Sequence, residues 1–191
     1  MATFEIAYAM TAQNEGGWAD NPKDRGGPTW AGIARNMQPS WIGWAIVDRL
    51  RKQGNFPACL GKSAELKTAV LSFYKHSFWD ALLLDDLQEQ RTANELFDTA
   101  VNMGTGRAAL FFQRVLNVVN RSGALFPDLA LDGRIGGKTI AAFNCLTESE
   151  KNMVWKLLNC LQGEKYISIC EANPSQEIFM RSWTSRVFES A

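Results

Sequence analysis

Two carboxylates and a hydroxyl stand at suggestive spacing within Asn14–Ala34, NEGGWADNPKDRGGPTWAGIA: Glu15, then Asp24 nine positions on, then Thr29 fourteen on. One carboxylic acid that protonates a leaving oxygen and one carboxylate that activates water, or attacks directly, suffice for glycoside hydrolysis. Gly16 and Gly17 leave room beside Glu15 for a bulky substrate. The intervening turn can fold Asp24 back opposite Glu15, and the Thr29 hydroxyl can help hold a water. Other chemistries have less to work with. The chain has a single histidine, His76, and neither a nucleotide P-loop nor a GxGxxG fingerprint. The same residues also fit plainer roles: Glu15 as a solvated helix end, Asp20 and Asp24 as turn residues. Spacing alone leaves both readings open.

The segment has to be held by helices. Phe4–Gln13 reads as a short buried helix stopped by Gly16-Gly17. Asp20-Asn21-Pro22 and Gly26-Gly27-Pro28 are turn signals, and a small hairpin is expected between them. Helices are then expected from Pro39 to about Gln53, over Ser63–Trp79, Thr92–Met103, Ala108–Asn120, Gly136–Leu146 and Glu148–Cys170, with Leu82–Leu87 as a connection. Gly104 and Gly106 separate two of them. Arg121–Arg134 is rich in Gly, Pro and Asp, but Leu125, Phe126, Leu129 and Leu131 suggest that it packs down. The expectation is a mostly α chain with one small β element at the chemistry-bearing loop.

Composition narrows the function classes. With 46% apolar and 21% charged residues, the 191-residue chain can bury a good core. Twenty basic and twenty acidic side chains cancel, which disfavours a general nucleic-acid binder. Cys59, Cys145, Cys160 and Cys170 form no CxxC pair and His76 is remote, so no metal site is expected. Cys145, Cys160 and Cys170 fall in helical patterns, where buried reduced thiols are expected. The N-terminus lacks a basic region and carries Glu5 in its apolar run, unlike a secretory signal, and no stretch approaches a membrane span.

Taken together, NEGGW-x-DNP-x-D-x-GGPT-x-x-GI resembles the signature of the peptidoglycan muramidases of glycoside hydrolase family 108, usually E-G-G-Y followed by D-P-x-D-x-G-G-x-T-x-x-G-I. FDTAVNMG (97–104), FQRVLN (112–117), LDGRIGGKT (131–139) and RSWTSRV near the C-terminus resemble that family's companion peptidoglycan-binding region. The resemblance covers most of the chain. It implies a lysozyme-like helical fold, with residues 1–90 as a catalytic region and 91–191 as a peptidoglycan-binding-like helical region on the same core.

The same resemblance implies a monomeric N-acetylmuramidase that needs no cofactor. Its target would be the β-1,4 bond between N-acetylmuramic acid and N-acetylglucosamine. Glu15 carries over as the catalytic acid, and the Glu–Asp–Thr spacing, similar to that of phage-type lysozymes, implies Asp24 as the base, Thr29 as its helper, and inversion. Gly16, Gly17, Trp18 and Trp30 are expected to contact substrate. Trp18 departs from the usual tyrosine: a phenol hydroxyl is lost while sugar stacking is kept. Asp20 is expected to form a turn, Asp132-Gly133 to serve backbone geometry, Arg107 and Arg114 to be solvated, and His76 to lie on a helix surface or pack. Synthesis in the cytoplasm, with release to the periplasm or cell wall by a holin or a dedicated export system, would follow. Some members of that family are described as secretion activators, so a non-catalytic wall-binding or secretion-accessory protein is the alternative; a lytic transglycosylase is another.

Overall fold

The computed structural model describes residues 1–12, 17–21 and 25–189. It is mostly helical, with one two-stranded antiparallel sheet. The chain forms two compact units, residues 11–77 in one and residues 1–10 with 78–191 in the other. Position 90, where the expected catalytic region ends, falls inside the second of these units. A helix start at Gln90 marks a sequence boundary, but the residues just before it, Leu82, Leu84 and Leu87, are buried in the same unit as those after it.

In the larger unit, α1 (Phe4–Ala12) contributes Phe4, whose ring meets Trp79 and Phe97 edge-on at 5.8 and 5.7 Å. Helix α4 (Gln90–Met103) is capped by the Glu89 carboxylate, which accepts from the backbone N–H groups of Arg91 and Thr92. Its apolar stripe, Ala93, Leu96, Phe97 and Ala100, is completely buried. Gly104, at φ 87°, ends α4 and lets α5 (Thr105–Val119) begin at once. Helix α6 (Gly137–Asn144) follows, then α7 (Glu148–Ala172), whose start is fixed by a reciprocal Thr147–Glu150 capping box. A 3₁₀ segment, Pro174–Phe179, leads into α8 (Met180–Glu189), where Trp183 stacks on Tyr166 of α7 at 4.8 Å. This last helix was not expected; RSWTSRV was recognised only as a motif.

The segment 121–134 is tied down, but by amides rather than by its leucines. Leu125 and Leu131 are exposed. Gln113, Asn117 and Asn120 lie on one face of α5 at steps of four and three. Asn117 exchanges two hydrogen bonds of 2.8 Å with the Leu129 backbone. Asn120 donates to Asp128 and Phe126 and accepts from the Gly123 N–H. Gln113, 2% exposed, donates to the Asp132 carboxylate and the Arg134 carbonyl and accepts from the Gly133 N–H. Gly133 adopts φ 68° with its Cα against the backbone of Gly106, so a side chain there would clash. The Asp132-Gly133 turn is thus held by its own unit.

The smaller unit holds the hairpin, α2 (Gly43–Arg51) and α3 (Ala64–Tyr74). Helix α2 is shorter than expected from Pro39 to Gln53. The Trp41 ring occupies the space where a Gly43 side chain would stand, so the chain must cross that ring before turning helical. Trp44 then meets Trp41 edge-to-face at 5.2 Å and donates its indole N–H to the Gln38 carbonyl. Helix α3 is capped by Ser63 and widens into one π-helical turn at Lys75–Trp79. His76 sits on the exposed surface of that turn. Arg107 and Arg114 on α5 are exposed. Of the four cysteines, all free, Cys59 and Cys170 are buried while Cys145 and Cys160 are exposed. The expectation of burial fails for these two because each lies on the solvent side of its helix pattern.

Candidate functional site

The hairpin pairs β1 (Thr29–Trp30) with β2 (Ile33–Ala34), Thr29 opposite Ala34 and Trp30 opposite Ile33. It lies one turn beyond the place expected. The two-residue loop is Ala31-Gly32, with φ 47° and 75°, the pair of left-handed residues that a type I′ turn requires. Alanine is an uncommon choice there, so no turn signal marks it in the sequence. The buried Tyr74 hydroxyl donates to the Ala31 carbonyl at 2.9 Å and pins the loop to α3.

On its other edge Thr29 pairs with Ala19 through two backbone hydrogen bonds, 2.8 Å from the Thr29 N–H and 3.0 Å from the Ala19 N–H. Both backbone polar groups of Thr29 are therefore taken by Ala19, while the next cross-hairpin bond runs from the Arg35 N–H to the Pro28 carbonyl at 2.9 Å. The Gly26-Gly27-Pro28 turn is fastened from behind by residues that follow β2. Asn36 donates through its side chain to the Arg25 carbonyl and through its backbone to the Gly26 carbonyl, both at 2.9 Å. Gly27 has φ 68°, and the Asn36 amide fills the space that a side chain would need. The Thr29 hydroxyl donates its only proton to the Gly27 carbonyl at 3.1 Å, which leaves its lone pairs as acceptors.

Among the sequence-predicted residues, Gly17, Trp18, Thr29 and Trp30 are described; Glu15, Gly16 and Asp24 lie outside the described residues. Gly17 is exposed, and a side chain there would meet nothing within 4 Å. Trp18 and Trp30 are both half-buried, each keeping part of its ring at the surface. The bridge at Ala19 puts the Trp18 segment beside Thr29.

Sequence reasoning missed the side chains that hold Trp18. Its indole meets Phe56 edge-to-face at 4.9 Å. The Arg51 guanidinium lies 5.9 Å from the Trp18 ring centroid and 5.4 Å from that of Phe56. Asp20 stands 3.6 Å from Arg51, a loose ion pair between two exposed groups. No local pattern could have found Arg51 or Phe56, because both lie more than thirty positions from Trp18.

Just past β2, Arg35 donates through two guanidinium nitrogens to Asp48 of α2 at 2.7 Å each. This bidentate hydrogen bonding holds the Asp48 carboxyl below its ordinary value and raises the Arg35 guanidinium above its own; partial burial opposes both shifts. The pair anchors the strand end of the hairpin to the helix that carries Arg51.

The family model described as Glycosyl hydrolase 108 matches residues 8–104, and one described as Predicted Peptidoglycan domain matches residues 107–188. A solved structure described as that of Brucella abortus SagA is 23% identical, with 98% of this chain and 90% of that chain covered and a TM-score of 0.58. That likeness shows a shared fold. No curated protein matches the chain.

Proposed function

The chain belongs to the glycosyl hydrolase 108 family, with a predicted peptidoglycan domain after it, and from that premise we propose that it is an N-acetylmuramidase. Glu15 donates a proton to the glycosidic oxygen between N-acetylmuramic acid and N-acetylglucosamine. Asp24 takes a proton from the attacking water, and the product is formed with inversion. To remain protonated near neutral pH, Glu15 needs an apolar surround that raises its pKa; Trp18, three residues on, is the natural source. Gly16 and Gly17 leave space for the glycan, and Trp18 and Trp30 offer faces for sugar rings.

The observation that carries this reading is the state of Thr29. Its hydroxyl proton is committed to the Gly27 carbonyl, so toward a water it can only accept. A water that gives one proton to Thr29 and the other to Asp24 turns a lone pair toward the anomeric carbon. Both backbone polar groups of Thr29 are hydrogen-bonded to Ala19, which favours an acceptor held in place without reorganisation.

Digestion of purified peptidoglycan by wild type and Glu15→Gln, with mass spectrometry of the released fragments, tests the proposal. Reducing muramic ends from wild type and none from the variant are expected. Anhydro ends would replace hydrolysis with transglycosylation. Co-sedimentation with the wall and no release by wild type would leave a non-catalytic wall-binding protein.

A further inference from the structure

The absence of net charge conceals a division. Residues 11–77 carry nine Lys and Arg against five Asp and Glu, a formal +4; the rest of the chain carries eleven against fifteen, a formal −4. The unit that bears Thr29 and Trp18 is thus cationic, and most of its arginines at the hairpin and α2 are already committed. Arg35 is bidentate to Asp48, and Arg49 is bonded to Glu65.

Arg51 differs. Its guanidinium carbon lies over the Trp18 and Phe56 rings, 5.9 and 5.4 Å from their centroids, while among the described residues its N–H groups make no hydrogen bond. Its ion-pair partner among the described residues, Asp20, is 3.6 Å away, beyond hydrogen-bond distance, and its charge also reaches Asp48. The side chain is 52% exposed. A guanidinium held by cation–π contacts keeps its N–H donors available, and their fork matches a carboxylate. The placement is a cation beside two aromatic rings, over the indole nearest in sequence to Glu15.

We propose that Arg51 is a specificity-determining residue that binds a carboxylate of the peptide stem while Trp18 stacks on the sugar that carries it. The inference rests on the glycosidase reading for its ligand class. It makes the substrate an anionic, stem-bearing glycan rather than a neutral amino-sugar polymer. Asp20 competes for the same guanidinium, so an incoming carboxylate displaces a weak internal partner and not a strong one. The surplus charge of the unit favours approach of the same anionic strands at low salt.

The test uses soluble glycan strands bearing stem peptides, and the same strands with their stem carboxylates converted to amides. Binding is measured calorimetrically in the Glu15→Gln background, so that strands stay intact. The expected result is about tenfold tighter binding of the carboxylate form, as charge-assisted hydrogen bonds at a half-exposed site provide. Arg51→Gln removes that preference and leaves the amidated form within about twofold, by the same reasoning. Arg51→Lys restores part of it, and Asp20→Asn tightens the carboxylate form. Equal binding of both forms by the unsubstituted Arg51 protein, or a preference that survives Arg51→Gln, overturns the inference. Turnover by wild type is followed on the same two substrates. Cleavage of neither sinks the glycosidase reading, while the binding comparison still decides the role of Arg51.

Discussion

Replacing Tyr74 by phenylalanine removes one oxygen from the smaller unit and tests what holds the hairpin. The ring remains, 3% exposed beside Phe73, and only the hydroxyl that donates to the Ala31 carbonyl is lost. A net hydrogen bond contributes about 1 kcal/mol, and leaving the half-buried carbonyl without its donor adds to that, so about 1–2 kcal/mol is expected. Ala31 already holds a left-handed conformation that costs a non-glycine residue about 1–2 kcal/mol. The tyrosine therefore secures a loop that would otherwise relax. For a chain of this length the loss corresponds to about 2–8 °C in melting temperature.

Ala31→Gly supplies the control. Relief of the left-handed strain and the added freedom of the unfolded chain oppose each other, so stability should stay within about 0.5 kcal/mol. Urea unfolding of both single variants and the double variant measures these quantities, with unchanged slope as the check that only stability moved. Wall digestion by Tyr74→Phe should fall below wild type even where the protein is fully folded, because Thr29 and Trp30 ride on this hairpin. A cost below about 0.3 kcal/mol, well under that of a typical hydrogen bond, would refute the reasoning. So would a large cost with undiminished digestion.

Gln113→Leu should destabilise the larger unit by about 2–4 kcal/mol in urea unfolding, since it strands the Gly133 N–H and the Arg134 carbonyl. Asp132, held below the usual carboxylate range first by Gln113 and then by the Arg134 N–H, should titrate higher in that variant by NMR. Asp48, lowered by its hydrogen bonds from Arg35, contributes stability that is present above the unfolded carboxylate pKa and is lost as pH falls through the folded one. Arg35→Met should therefore weaken the fall in melting temperature as pH drops below the ordinary carboxylate range. Thiol titration of the native protein should label Cys145 and Cys160 promptly and reach Cys59 and Cys170 only on unfolding.

Helices were legible in the sequence wherever an apolar stripe repeated at three and four residues. Leu96, Phe97 and Ala100 of α4, and Phe112, Val115 and Leu116 of α5, are all buried as that period requires. The proposed site rests on a different signal: Glu15, Asp24 and Thr29 are close enough in sequence for their types and spacing to suggest a chemistry. The structure bears on Thr29 alone of these three.

Local pattern could not supply what depends on residues distant in the chain. The hairpin turn falls on Ala31-Gly32 because Tyr74, forty-three residues on, stabilises a conformation that alanine disfavours. The 121–134 segment is fastened by amides that in α5 look like ordinary polar positions, since hydrogen-bond partners leave no periodic trace. Arg51 and Phe56 reach Trp18 only through the fold of the smaller unit. Charge shows the same limit. A sum over the chain is zero whatever the fold, and only the partition of the chain into units separates +4 from −4. Sequence by itself determined the helices, the family and the candidate chemistry, because these rest on local period and contiguous motif. Tertiary structure decided which cation stands beside Trp18 and which unit of the chain is positive, because both depend on long-range packing.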